Sequence, residues 1–490
     1  MATQPNFVVV FTDQCRYDVL SCNASRPGGD TAAVCRTPNL EAMAERGVVF
    51  DNAFSCCGIC SPARASLLTG RYPHNHGVLN NTHDQDTVRP DLPEGEVSLV
   101  SCLRDAGYRT VHLGKWHASL NRGPSEFGFT DVTGMDWWEF LQSIDAPHPP
   151  PRNLTWVPYP TPGTHGVPMY SDAPAEEHVP EYFFFREAGR ALEECAASPN
   201  PFFLIVNTNG PHFPCTPPPE FNTYDPKAIP PWPNFEETFE GKPAGHLRLA
   251  RQRGCIDLPW EEWAEYVARY FGMVSYIDHL MGGLFDGLER LGLRENTYVV
   301  FMTDHGDLSG SHRIFNKGRI MYEELYHIPL LVEGPGIEGG RRRDGFVNTV
   351  DIMPTILQLA GAAPPDVSGR EDDPAWQTDR RPGLLDGQSF AGELTGTGKG
   401  QLRDYAAAEY HGEEFGLHSQ RMIRSARYKY VYNPADLDEL YDLAADPAEL
   451  SNRISDPTLA GVLAEHRAML EEWMEGTRDT MYRWVQRGLL

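Results

Sequence analysis

The chain has 490 residues and a mass of 54.9 kDa, and its 42 basic and 68 acidic side chains leave a formal charge of −26. Hydrophobic residues make up 41% and aromatics 11%, enough for a buried core, which excludes wholesale disorder. The acidic balance argues against nucleic acid as a partner, because no excess of cations exists to displace phosphate counterions, yet it leaves a locally basic anion pocket open.

The opening MATQPNFVVVFTDQ has no basic leader region and only a short apolar run, Phe7 to Phe11. No stretch approaches the ~20 apolar residues that span a bilayer. Ten cysteines without the spacing of a disulfide framework complete the expectation of a soluble, cytoplasmic protein with no membrane partner. Residues 6–12 (NFVVVFT) are apolar and β-branched, as a buried parallel strand requires. Residues 37–47 (TPNLEAMAERG) carry a capping threonine, a first-turn proline and a terminal glycine, which predicts a helix. YRTVHLGKW and PFFLIVNTN read as strands, 260–291 as a helix, YVVFMT and HIPLLVEGPG as strands, and 351–360 as a helix.

This alternation predicts an α/β fold, a large and mainly parallel sheet sandwiched by helices. Sites in such sheets gather at the carboxyl ends of the strands. Polar clusters stand at several of those ends: Asp13-Gln14, Lys115-Trp116-His117, Asn209 to His212, and Asp304-His305-Gly306. Two proline-rich stretches, 136–180 with Trp137, Trp138, Trp156, Tyr159 and Tyr170, and 214–233, read equally as substrate walls or as cover for the core. Beyond about residue 365 the composition loosens. RDYAAAEYH and RMIRSARYKYVYN then predict antiparallel strands, and 457–477 an amphipathic helix. The division expected is a catalytic domain over 1–370 and a smaller C-terminal α+β subdomain over 371–490.

The string Cys60-Ser61-Pro62-Ala63-Arg64-Ala65-Ser66-Leu67-Leu68-Thr69-Gly70 places a cysteine where a helix opens, with proline in the first turn and glycine as the stop. A thiol there sits at the positive end of the helix dipole with an arginine one turn on, which favours reactivity and anion binding. Two readings compete with that one. Cys57 and Cys60 form a CxxC pair, which suits redox chemistry or a metal, and a cysteine is also a common buried residue. His74, His76, Asn80 and Asn81 read as supporting or structural groups. Gly334 to Gly339 matches GxGxxG after a strand but runs into RRRDG, not a helix, so no dinucleotide site is expected.

The string resembles the C-x-P-x-R-x-x-x-L-T-G signature of the type I sulfatases, members of the alkaline phosphatase superfamily, whose cysteine is oxidised to Cα-formylglycine. TPNLEAMAERGVVFDNAF, GKWH, NGPHFP, MVSYIDHLMGGLFDGLERLGLRENTYVVFMTDHGD, KGRIMYEELYHIPLLVEGPG and ELYDLAADPAELSN follow the same family in the same order, over nearly the whole chain. The resemblance implies Cys60 as the formylglycine nucleophile, Arg64 holding its hydrate, His117 and His212 as catalytic histidines, and Lys115 and Lys317 on the sulfate. It places Asp13, Gln14, Asp304 and His305 as ligands of one divalent metal ion. It further implies hydrolysis of a small sulfate monoester, aryl or carbohydrate, and maturation by a formylglycine-generating enzyme. A homo-oligomer is left open, with the final helix and tail able to reach a partner subunit.

The metal set departs from the commonest sulfatase pattern, which has two consecutive acids near the N-terminus and a later Asp-Asn pair. Gln14 removes a negative charge and His305 offers nitrogen, which favours Mn²⁺ over Ca²⁺ more than an all-oxygen site would. This variant resembles the phosphonate monoester hydrolases, so hydrolysis of a phosphonate monoester or phosphodiester is the alternative. Those relatives carry a different polar pair where this chain has Lys115 and His117, and GKWH draws the reading back towards sulfate.

Overall fold

The computed structural model describes residues 4–23, 35–84, 87–132, 137–144, 155–157, 167–365, 385–397, 401–413, 416–434 and 436–489. The expected domain boundary at 370/371 lies outside them, as do the side chains of Trp138 and Trp156 and the whole of Tyr159.

In chain order the strands are β1 (Asn6–Asp13), β2 (Val48–Phe54), β3 (Arg109–Gly114), β4 (Asp131–Val132), β5 (Thr155–Val157), β6 (Val167–Tyr170), β7 (Phe202–Pro211), β8 (Thr297–Thr303), β9 (Leu330–Glu333), β10 (Arg341–Asn348), β11 (Ala406–Glu413), β12 (Gly416–Arg424), β13 (Tyr428–Tyr432) and β14 (Glu439–Asp442). Eight of them form one sheet in the order β10-β2-β9-β8-β1-β7-β3-β4. Every pairing is parallel except those of β9, which runs antiparallel between β2 and β8.

β1 lies near the middle, pairing Val9 with Ile205 on one side and Val300 on the other, and all eight of its residues are buried. Its side chains alternate between faces, so Val8 and Val10 enter one apolar core while Phe7, Val9 and Phe11 enter another. The first core is covered by the Trp260–Arg290 and Pro180–Ala196 helices, the second by the Cys60–Thr69, Leu99–Asp105 and Ile352–Ala360 helices. The elements predicted for this sheet therefore stand where expected, with ends shifted by up to three residues.

β11 to β14 form an antiparallel sheet with the Ala460–Gly476 helix packed on β12 and β13. A third core runs through both sheets, joining Phe54, Cys56, Cys57 and Tyr72 to Ala407, Tyr410, Met422 and Trp473. Within 214–233 both readings find residues: Pro214 and Thr216 line a cavity, while Trp232 is buried, donates from its indole to the Ser309 carbonyl at 2.7 Å and lies under the Arg16 guanidinium. The glycines at 334–339 lead directly into β10, which removes the dinucleotide motif. Among the described residues, no helix is long and apolar enough to cross a membrane.

Candidate active site

β8, β1, β7 and β3 are adjacent and parallel, so their carboxyl ends share one edge of the sheet. That edge presents Asp13 from β1, Asn207 and His212 from β7 and its exit, Lys115 after β3, and Asp304 with His305 after β8. The helix after β2 opens there with Cys60. Gly114 makes the turn before Lys115: its φ is +84°, and a Cβ would lie 1.9 Å from the Asn207 carbonyl oxygen. The Cys60–Thr69 helix is buried along its whole length and ends on Gly70 at φ +63°. No side chain at its cap position closes its first turn; the Asn81 amide oxygen, from a distant loop, accepts from the Ser61 N–H at 3.2 Å.

Cys60 Sγ lies 3.1 Å from Lys317 Nζ, 3.3 Å from His305 Nε2 and 3.8 Å from Asp13 Oδ1. Arg64, one turn along the helix, donates from Nε to Asp304 at 3.0 Å and from its second terminal nitrogen to Asp13 at 3.0 Å, and also reaches Asn207. Lys115 forms an ion pair with the same Asp13 oxygen that Arg64 holds. Burial pushes the Asp13 carboxyl upward, but Lys115, His212, Arg64 and Lys317 overcome it and hold it well below the usual carboxylate range. Burial and Asp13 likewise push the Cys60 thiol up, and Lys115, Lys317 and His305 bring it well below its ordinary value. Burial, with Cys56 and Glu409, raises Cys57 strongly. The reactive-cysteine reading and the CxxC reading are thus separated by position: Cys57 packs in the core shared by the two sheets, Cys60 in the polar cluster.

Ligand atoms of Asp13, Cys60, Asp304 and His305 lie within 4.8 Å of one another. His305 Nδ1–H donates to the Gly306 carbonyl at 2.8 Å, so its Nε2 lone pair is turned into the cluster, as a metal-binding imidazole requires. Gln14 stands at φ +61°. Its amide nitrogen donates to the Asp307 carboxylate, which leaves its oxygen towards Lys317 at 2.7 Å. Two buried carboxylates, an amide oxygen and an imidazole nitrogen form a donor set that fits a divalent cation.

Asp307 was not singled out in the sequence, although it follows Asp304 in the same DHGD string; its part is to orient Gln14. Asn207 was also missed, because nothing in PFFLIVNTN distinguishes a strand asparagine that faces an arginine. His74 and His76 are structural: His74 pairs with Glu409 at 2.7 Å and His76 with Ser66 at 2.9 Å. Asn80 accepts from Thr87 and Val88 within its own loop.

His117 and His212 border a cavity of about 560 Å³, together with Cys60, Lys115 and Lys317. Burial, aided by Lys115 and Arg64, drives His117 down to about 2; burial drives His212 down to about 3, and both are neutral imidazoles near pH 7. The His212 Nδ1–H donates to the Phe213 carbonyl at 2.6 Å, leaving Nε2 as its free nitrogen. A second cavity, of about 290 Å³, adjoins the first at Lys115, His212 and Phe213.

A sequence model of the sulfatase family matches residues 5–362. The chain belongs to the sulfatase family. A second model, of the C-terminal part of N-sulphoglucosamine sulphohydrolase, matches residues 310–476. The delta 4,5-hexuronate-2-O-sulfatase of Bacteroides thetaiotaomicron is 26% identical across 97% of this chain and 90% of its own length. The multifunctional alkaline phosphatase superfamily protein PehA of Trinickia caryophylli is 27% identical across 99% of both chains. In structure, the phosphonate monoester hydrolase of Agrobacterium radiobacter superposes with a TM-score of 0.75 at 25% identity, over 97% of this chain and 96% of its own. This sulfatase therefore has the fold the sequence predicted, and its family places it among the sulfuric ester hydrolases.

Proposed function

We propose that this sulfatase hydrolyses a sulfate monoester through a formylglycine hydrate formed at Cys60. The observation that carries the reading is the position of Cys60, at a helix N-terminus and within 3.1 Å of Lys317 and 3.3 Å of His305, in a cavity that also holds Lys115, His117 and His212. A sulfate ester is a compact anion, and its non-bridging oxygens need converging cations of this kind. Asp13, Gln14, Asp304 and His305 would hold one divalent cation, which lowers the pKa of the attacking hydroxyl and offsets charge on the transferring group.

Arg64 steadies the two carboxylates and the nucleophile between them. Lys115 and Lys317 bind the sulfuryl oxygens; burial opposes the charge on Lys317, while the Cys60 thiolate before its oxidation, and Glu413 and Asp13 throughout, favour it. His212 protonates the leaving alcohol oxygen from Nε2, the approaching anion adding to the opposite charge that Asp13 supplies against its burial. His117 then takes the proton of the second hydroxyl. The carbonyl re-forms, the C–O bond to sulfate breaks, and the aldehyde is restored. The adjoining 290 Å³ cavity is of a size to take the alcohol half of the ester.

A second reading, hydrolysis of phosphonate monoesters or phosphodiesters, is favoured by Gln14 and His305 in the metal set and by the likeness to the phosphonate monoester hydrolase. The test is kcat/KM on one aryl leaving group carrying either sulfate or a phosphonate ester, with Cys60 verified as the aldehyde by peptide mass. A clear sulfate preference is expected. A phosphonate preference would hand the site to the second reading, and an unmodified thiol in active protein would remove the formylglycine mechanism from both.

A further inference from the structure

His117 is partly exposed on the cavity wall, and its two ring nitrogens have different surroundings. Its Nδ1 is buried without a hydrogen-bond partner. Its Nε2, however, lies 2.6 Å from Nδ1 of His83, a side chain that is 57% exposed and that borders the same cavity. The two rings are tilted by 39° with centroids 4.6 Å apart, so they meet edge to edge at the nitrogens and are not stacked. His83 Nε2 in turn stands 3.6 Å from Asp84 Oδ1 at the cavity mouth.

We propose that His83 and His117 form a proton relay, in which His83 empties the buried base and sets its tautomer. This rests on the reading that His117 deprotonates the sulfated hydrate. One ring must donate in the 2.6 Å contact. With the hydrogen on His117 Nε2, the buried Nδ1 is a bare lone pair and a base; with it on His83, His117 would bury an N–H donor without an acceptor, the costlier arrangement.

The second hydroxyl of the sulfated hydrate loses its proton to His117 Nδ1. The O–H electron pair becomes the carbonyl π bond, and the C–O pair leaves with sulfate. The hydrogen on His117 Nε2 passes to His83 Nδ1, and His83 releases its Nε2 hydrogen to Asp84 or to solvent. Both rings end neutral, with their tautomers exchanged. When water adds to the aldehyde to re-form the hydrate, His117 Nδ1–H protonates the carbonyl oxygen, the hydrogen on His83 Nδ1 returns to His117 Nε2, and His83 regains one at Nε2 from solvent, which receives the proton the added water sheds. Lys115, Arg64, His83 and Asp13 are the charged or titratable groups that face His117. Lys115 and Arg64 oppose a standing imidazolium there, which makes onward transfer the favourable course.

His83 is a positioning residue here, acting through His117, and its exposure makes substitution compatible with folding. The experiment compares His83→Ala, His83→Gln and His117→Ala, each with Cys60 verified as the aldehyde, using 4-nitrophenyl sulfate. For His83→Ala the expected result is a fall in kcat of about tenfold with KM little changed, a fraction of what a direct acid–base group contributes. Sulfate-bearing enzyme should accumulate in acid-quenched intact mass spectra, and added imidazole should restore turnover. His83→Gln should behave like His83→Ala, since an amide cannot carry the proton onward. Wild-type kcat without an adduct, or a raised KM with kcat unchanged, would overturn the relay. If His117→Ala stalls as the sulfated enzyme while His83→Ala does not, the relay fails and the mechanism stands. If His117→Ala turns over freely, the role given to His117 falls first, and the relay with it.

Discussion

Cys60, Asp13, Asp304 and His305 come from three separate segments, yet their ligand atoms lie within 4.8 Å of one another. Such a crowd of buried acids needs compensation, and Arg64, Lys115 and Lys317 supply part of it. We expect Cys60→Ala to lose turnover by at least about a thousandfold while keeping its thermal midpoint, checked by calorimetry alongside the assay. Stripping divalent metal with a chelator should abolish activity and lower the midpoint, because a cation bound only by the folded state stabilises it. Mn²⁺ should restore activity better than Ca²⁺, given the nitrogen of His305; equal recovery with both would mean that the carboxylates alone set the preference. The ten site residues named from the sequence all reach this edge of the sheet. Their motifs are local and rich in uncommon polar residues after apolar strands. Asp307, Asn207 and His83 stayed out of reach because each works through a partner that only folding supplies: Gln14, Arg64 and His117 respectively.

At the scale of elements, the strands that announced themselves were the central ones. β1 and β8 are buried on both faces, so their sequences are continuous apolar runs. β10 (RRRDGFVN) was invisible as an edge strand whose first half is exposed and charged. β2 was obscured by Asp51, whose buried carboxylate pairs with Arg342 from β10 at 2.5 Å. The turn from β3 to Lys115 depends on one glycine. Gly114→Ala should cost about 1–3 kcal/mol from the left-handed φ alone, with more from the contact against Asn207. It should also lower kcat/KM, since Lys115 and His117 hang from that turn. Retained activity at normal stability, measured by denaturant titration and assay together, would show that the strand end yields without moving them.

Across the whole molecule, the Pro73–His76 turn that follows the Cys60 helix is tied to the antiparallel sheet through a buried pair. Glu409 on β11 takes the His74 N–H at 2.6 Å and its ring Nδ1 at 2.7 Å, while His74 Nε2 faces the Thr477 carbonyl at 3.2 Å. With acceptors at both nitrogens, the ring is held as imidazolium. Burial pushes its pKa down, but Glu409, with Asp479, raises it from the ordinary 6.5 to about 9. A raised pKa means that this stabilisation is fully present below pH 6.5 and is lost as pH climbs through 9. His74→Gln should therefore cost about 3 kcal/mol at pH 6, with the gap to the wild type narrowing by pH 10. A gap that stays constant with pH would assign the cost to packing instead.

The sequence by itself determined the strand–helix alternation, the parallel sheet and the chemistry at its carboxyl edge, because periodicity and short motifs are properties of neighbouring residues. It also determined that an antiparallel unit follows. Tertiary structure alone decided which strands are adjacent, and hence that Asp13, Lys115, His212 and Asp304 share one edge. It decided that His74 pairs with Glu409 of the antiparallel sheet, that Cys57 and Cys60 differ in surroundings, and that His83 stands behind His117. The contacts among these span 34 to 335 residues of chain, set by how faces pack and how buried charges find partners, and no local pattern encodes them.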